Sequence, residues 1–274
     1  MDLVIRRARR SDRPDVLAAV RTIWGGQDRI PDVFDSWVSH RSGPFFVAES
    51  GGHVVGMGKL TILNADEGWL EGGRVAPRWR RRGIATALIA HRIADARERG
   101  LRVLRFSTAS DNTPIHHAAK RFGFRRVAVM WRHEAPALSG SPPRRARRAD
   151  TRSVARSLPR LIQHGHGWEW RTLTANDVDQ AIDRGQVFIA GRAAAIVGRR
   201  YDGSLMIASV GGQGAPLREL LFALRAEARR RGLADASFYV ADAAQRRAAH
   251  GAGYRPPWSG RAYLFEKRLT PRAG

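Results

Sequence analysis

The 274-residue chain contains no cysteine, which excludes disulfides, thiolate metal sites and a cysteine nucleophile. It is nearly without lysine as well: Lys59, Lys120 and Lys267 stand against 45 arginines. Acidic residues are scarce, 25 against 48 basic ones, for a formal net charge of +23. So strong a preference for Arg over Lys reads as composition pressure as much as selection on one surface. A field of this sign attracts polyanions without sequence preference and with strong salt dependence. The chain lacks zinc-finger spacing, basic-zipper heptads and RNA-motif aromatics, so no specific nucleic-acid partner is expected. Nor does any apolar run approach the roughly 18 residues of a spanning helix. The first ten residues are charged, not apolar. A cytoplasmic chain without a membrane partner is the expectation.

At 43% hydrophobic residues, the chain is long enough for one large domain or two ordinary ones. The strongest break is "PALSGSPPRRARRADTRS", from Pro136, whose Pro, Gly, Ser and clustered Arg have the composition of a solvated linker. Within this break "ARSLPRLIQ" suggests a short helix and "HGHG" a loop before "WEWRTL". His164 and His166 lack the further ligands a metal site needs. The expected division is residues 1–136, a basic linker over 137–167, and residues 168–274.

Before the linker, strand and helix patterns alternate. "LVIRRA" reads as a strand and "SDRPDVLAAVRTIW" as a helix with Ser11 as N-cap. "PDVFDSWVSH" reads as a second helix. "FFVAES" and "HVVGMGKLTIL" form a hairpin about Gly51-Gly52. "GWLEGGRVAP" is a further strand whose Gly72-Gly73 pair suggests a bulge. The long helix "GIATALIAHRIADARERG" follows from Gly83, then the strand "LRVLRFSTAS", the helix "NTPIHHAAKRF" and the strand "FRRVAVMWRHEA". After the linker the order returns: "VFIAG" and "AAAIVGRRY" match the hairpin, "LMIASVGGQG" the next strand, and "LRELLFALRAEARRRGL" the long helix. "ASFYVADAAQRRAAHGAGY" matches the strand and helix after it.

The loop at Arg80, Arg81, Arg82 and Gly83 carries the chemistry. A strand ending in an arginine-rich loop whose Gly opens a helix is an anion site. The first N–H groups of the helix lack partners and carry the positive end of its dipole. Gly admits a close backbone approach and arginine adds charge-assisted hydrogen bonds. The loop has neither the GK[ST] of a P-loop nor the GxGxxG of a Rossmann turn.

"V-x-P-x-x-R-x-x-G-x-A", from Val75 to Ala85, resembles the acetyl-CoA signature of the GNAT superfamily of N-acetyltransferases. A second family element lies at Asn112, before a helix that ends in "RFGF". The resemblance covers roughly residues 1–136. It implies an α/β (α+β) chain of two GNAT-like domains, each a mixed, mostly antiparallel twisted sheet flanked by helices. It also implies acetyl-CoA as co-substrate, without a metal. The residues expected to hold it are Val75, Ala76, Pro77, Arg80, Arg81, Arg82, Gly83, Ile84, Ala85, Thr86 and Asn112. Pantetheine would lie between the "GWLEGGRV" and "RVLRFSTAS" strands, with a backbone N–H near Val75 binding the thioester oxygen as charge develops. Glu71, in the family's "E-G-x-x-V" context, is the candidate base that deprotonates the amine. The family's usual general acid, a Tyr seven residues after the Asn, is here Ala119; His116 lies one turn earlier and is the candidate substitute.

The second copy departs further. "SVGGQGAPLREL" has no Arg between Val210 and its helix, and Asp242 stands where Asn112 stood. The expectation is an N-acetyltransferase acting on a primary amine of a small molecule, with an active first copy and a degenerate second; a homodimer is allowed. The alternatives are transfer to a protein N-terminus or lysine, and a non-catalytic acyl-CoA sensor.

Overall fold

The computed structural model describes residues 2–39, 42–165, 168–199 and 203–270. These form two compact units, neither continuous in sequence. The first comprises 2–39, 42–106, 114–125 and 265–270, and the second comprises 107–113 with the described residues of 126–264.

The first unit begins with β1 (Val4–Arg7), α1 (Arg13–Val20) and α2 (Ile30–Ser39). Helix α1 turns Val16, Ala19 and Val20 inward and α2 turns Ile30, Phe34 and Trp37 inward. These are the i, i+3, i+4, i+7 spacings that put apolar groups on one helical face. They close over Phe45, Val47 and Met57 of β2 (Phe45–Ser50) and β3 (His53–Ile62). Strand β4 (Glu67–Val75) leads to α3 (Ile84–Glu98), then β5 (Val103–Ala109) and α4 (Thr113–Arg121). The sheet runs β1-β2-β3-β4-β5, antiparallel except for the parallel pair β4–β5.

The second unit contains β6 (Arg125–Pro136), β7 (Arg144–Arg145), α5 (Thr151–Ser157) and a separate hairpin of β8 (Leu161–His164) with β9 (Glu169–Thr172). Then come α6 (Ala175–Asp183), β10 (Val187–Ala190), β11 (Ala193–Arg199) and β12 (Leu205–Gly211). Helix α7 (Gly214–Arg230), β13 (Asp235–Val240), α8 (Ala243–Gly251) and β14 (Ala262–Arg268) follow, the last strand passing into the first unit from Phe265. Its sheet runs β6-β13-β12-β11-β10-β7, and Leu217, Leu220, Leu221 and Leu224 of α7 pack on Leu205, Ile207 and Phe238.

Of the segment expected as a linker, 137–167, the described residues 137–165 are folded. Arg144 and Arg145 pair with Ile189 and Phe188, and Ala146, Val154, Leu158 and Ile162 join a buried cluster. The short helix expected over "ARSLPRLIQ" ends at Ser157, and Leu161–Gln163 are strand instead. His166 lies outside the described residues. The expected division also differs at the other end of the chain, because Phe265 and Glu266 side chains are packed within the first unit. Among the described residues no helix is long and apolar enough to cross a membrane.

Candidate functional site

Strand β4 positions the site. Its ladder with β5 spans Glu67–Val103, Gly68–Leu104 and Trp69–Arg105 and then ends, so the strand leaves its parallel neighbour from Leu70 onward. On the other edge β4 stays with β3, and the Gly72-Gly73 bulge expected from sequence is present. Lys59 faces Glu71 while Met57 faces Arg74, one residue more on β4 than on β3. A bulge of this kind re-aims the strand.

Beyond Val75 the chain makes a single 3-10 turn at Pro77–Trp79 before α3. Ala76 N–H donates to Val55 C=O (3.0 Å), and Ala76 C=O accepts from Trp79 N–H (2.8 Å). Both backbone groups of Ala76 are therefore committed inside the protein and its side chain is buried; it offers a ligand nothing. Backbone alternation turns the N–H and C=O of Val75 to the edge away from β3, where its C=O meets Arg80 Nε at 3.5 Å. Pro77 C=O accepts from Arg80 N–H at 3.3 Å.

Arg81 and Gly83 both have left-handed backbone, φ 62 and 79. For Arg81 that conformation costs about 1–2 kcal/mol, a strain kept in the loop that faces solvent. Arg82 lies over the Trp79 ring at 4.9 Å. The first helical bond runs from Ala87 N–H to Gly83 C=O at 3.0 Å, and no side chain caps α3. The N–H groups of Gly83, Ile84, Ala85 and Thr86 therefore precede the ladder. Around Gly83 no atom lies within 4 Å of where a Cβ would be. The loop is an open, positively charged cradle. Ile84 is the exception among its side chains, since it is buried and anchors α3 to the core.

Glu71 is half-buried on β4 and accepts a hydrogen bond from Thr61 Oγ1. Behind it lies Arg92, 4% exposed, whose guanidinium donates to the carbonyls of Glu71 (3.3 Å), Lys59 (3.3 Å) and Leu88 (3.1 Å). Burial pulls the Arg92 pKa down to about 10, opposed by the charge of Glu71. Sequence reasoning missed both partners. The available signal was Arg92 itself, a charge within the inward stripe Leu88, Ile89, Ile93, Ala96 of α3.

His116 sits half-buried on α4, its ring tilted against Phe265 at 5.8 Å. Ala119 is buried, so no donor is present there. Asn112 is exposed and donates to Thr108 Oγ1 at 2.9 Å; its segment, 107–113, belongs to the second unit, and only the remaining expected residues are gathered in the first. Among the described residues no group of three or more His, Asp or Glu could hold a metal ion.

The second unit has the same strand geometry with different residues. The parallel ladder β12–β13 covers Leu205–Ala236 and Met206–Ser237 and ends. Strand β12 then bulges at Ala208, with Val197 facing Ile207 and Ile196 facing Ser209. Counted from the last parallel pair, Trp69–Arg105 in one unit and Met206–Ser237 in the other, the place of Glu71 falls at Ala208, with Ser209 next to it. Helix α7 begins three residues after β12 ends. A Cβ at Gly211 would sit 1.7 Å from Ser157 C=O, so the end of β12 is packed against α5, whereas around Gly214, which opens α7, no atom lies within 4 Å of where a Cβ would be, as at Gly83. Asp242, in the place of Asn112, caps α8 by accepting from Gln245 N–H at 2.8 Å.

Residues 11–124 match the model of the acetyltransferase (GNAT) family, and the chain has the mixed, mostly antiparallel GNAT fold. Over 83 residues it is 30% identical to a histidine N-acetyltransferase of Scomber australasicus, covering 30% of this chain and 25% of that protein. Over 75 residues it is 32% identical to a histidine N-acetyltransferase of Xenopus tropicalis, covering 27% and 23%. The chain thus spans about a quarter of the length of the curated relatives it matches. A GCN5-related N-acetyltransferase from Sphaerobacter thermophilus aligns with a TM-score of 0.64 at 17% identity, over 98% of this chain and 96% of that one. Another, from Kribbella flavida, gives 0.54 at 15% identity over 98% and 71%. At these identities the structural likeness speaks for the fold.

Proposed function

We propose that the chain transfers the acetyl group of acetyl-CoA to the primary amine of a small molecule, the first unit holding the chemistry and the second being a non-catalytic copy of it. One observation carries this reading: the arginine loop that opens α3, with uncapped N–H groups and open space at Gly83. The cradle fits a pyrophosphate. Arg80, Arg81 and Arg82 supply cationic donors, and the N–H groups from Gly83 to Thr86 supply neutral ones. Asn112 remains part of the proposal as a polar group before α4.

Acetyl-CoA supplies an acetyl group already activated as a thioester, so proximity provides much of the rate. Val75 N–H, turned away from β3, stabilises negative charge on the carbonyl oxygen in the transition state. Glu71 takes the proton of the incoming ammonium, directly or through water, which frees the nitrogen lone pair for attack. Thr61 holds one of its oxygens and Arg92 holds its backbone, so the carboxylate is presented in a fixed orientation. With Ala119 at the usual Tyr position, His116 is the group that returns a proton to the leaving sulfur.

The partial likeness to proteins named histidine N-acetyltransferase supports an acceptor of amino-acid size. The test is thiol release from acetyl-CoA across amino acids including histidine, aminoglycosides, polyamines and peptides. Turnover of a free small amine is the expected outcome. Turnover of peptides alone would move the acceptor to protein, and binding of acetyl-CoA without any turnover would make the chain a sensor.

A further inference from the structure

The second unit has lost the arginine loop, yet it keeps a cavity of about 230 Å³ at the point where β12 leaves β13. Engineered cavities of about 150 Å³ accept benzene, so this space holds a substituted aromatic ring. Its walls include Met130, Trp170, Ile207 and Tyr239. Trp170 and Tyr239 stand edge to face in direct contact, with centroids 5.2 Å apart, and together form an aromatic wall against which a third ring can pack.

Ser209, Arg160, Gln163 and Gln245 interrupt this apolar lining. Ser209 is 4% exposed and its Oγ has no hydrogen-bond partner. A buried hydroxyl left in this condition calls for explanation, because its O–H is a donor that water has lost and no protein group has replaced. Arg160 is the one charged side chain lining the cavity; no Asp or Glu does so among the described residues. The connection to α7, residues 212 and 213, carries no arginine to clamp a phosphate. Gln245 also ties the ends of the two strands together, donating to Val210 C=O (3.3 Å) and accepting from Ala241 N–H (3.2 Å).

We infer that this cavity binds a small aromatic carboxylate: the ring packed against Trp170 and Tyr239, the carboxylate toward Arg160 and accepting from Ser209 Oγ. This goes beyond the transferase reading and does not depend on it.

The test follows 4-fluorobenzoate by 19F NMR with the full chain. Saturable binding at one site per chain is expected, weakened at least tenfold in Ser209→Val and in Arg160→Glu, and at least tenfold weaker for neutral 4-fluorobenzamide. Gly83→Asp should leave it unchanged, which separates this site from the acetyl-CoA loop. Absence of saturable binding overturns the proposal. So does equal binding in either variant, the signature of adsorption to the arginine-rich surface, or equal binding of the amide. Should Ser209→Val not fold, as judged by circular dichroism, the exposed Arg160→Glu change decides alone.

Discussion

Between β4 and α3 the first unit spends eight residues, 76–83; between β12 and α7 the second spends two, 212 and 213. The difference separates what a fold requires from what a site requires. Either connection joins a strand to a helix packed on the same sheet, and each helix opens at a glycine in open space, Gly83 or Gly214, but only the longer connection carries three arginines. The frames meanwhile share detail. Arg6 clasps Asp12 through two hydrogen bonds of 2.8 Å, and Arg144 clasps Asp150 through two of 3.0 Å. Ala8 N–H donates to Phe45 C=O as Ala146 N–H does to Val187 C=O. Scaffold contacts persist where the arginine loop does not.

The sharpest way to break this contrast is Glu71→Gln. It keeps size and hydrogen bonding and removes the base, so the maximal rate should fall by about 10²–10⁴ with acetyl-CoA affinity nearly unchanged. A raised Michaelis constant at intact maximal rate would instead make Glu71 an anchor for the substrate cation.

The next effect lies in the core. At the parallel ladder the first unit buries Arg105 between Glu67 (3.0 Å) and Glu266 (2.8 Å), where the second buries Ser204 and Ser237, 3.3 Å apart. Arg105→Met strands two carboxylates and should lower stability by about 3–5 kcal/mol. Ser237→Ala, which removes one neutral hydrogen bond, should lower it by about 1 kcal/mol. Denaturant midpoints of the two variants check the ratio.

Gly83→Asp places a Cβ and a carboxylate in the open cradle at φ 79. Calorimetry should show acetyl-CoA binding at least hundredfold weaker, by roughly the 2.7 kcal/mol or more that such a factor represents. The parent should titrate one acetyl-CoA per chain, and two equivalent sites would erase the distinction between the units.

The smallest effect tests what the frames share. A third clasp joins Arg171 to Asp177, at 2.6 and 2.7 Å. Burial opposes ionisation of Asp177, but hydrogen bonds from Arg171 and Thr174 outweigh it and hold its pKa at about 2. Asp12 and Asp150 are likewise held below the usual carboxylate value. A carboxylate whose pKa is depressed on folding contributes stability above its unfolded pKa and loses it as pH falls toward the folded one. Melting temperature should therefore drop between about pH 4 and pH 2. Asp177→Asn should cost about 1–2 kcal/mol at neutral pH and flatten part of that acid limb.

Most of this architecture was legible because it is local. The inward stripes of α1, α2 and α7 follow helical spacing, the hairpins follow their Gly turns, and the arginine loop is contiguous. The stretch from Arg144 to Arg148 was misread as a linker because Pro, Gly, Ser and Arg have the same composition in a solvated segment and in an edge strand with a tight turn. The correcting signal was present: "RRARR" at Arg6–Arg10 and again at Arg144–Arg148, each followed two residues later by the clasping Asp. The partners of Glu71 and the Glu67–Arg105–Glu266 cluster were not legible, because each joins residues on different elements through side chains that no spacing rule connects.

The discontinuity of the first unit sets a clock on its synthesis. Arg105 waits for Glu266, 161 residues later, and Phe106 waits for the ring of Phe265 that stacks on it at 5.1 Å. At about 5–20 residues per second, the ribosome needs on the order of 8–30 s to make that stretch. Until then the unit has a buried arginine with one carboxylate fewer and an aromatic face without its cover. A nascent chain in this condition is exposed to chaperones and proteases for an interval set by translation speed, so slow codons within the intervening stretch would lower the yield of folded protein without changing a residue.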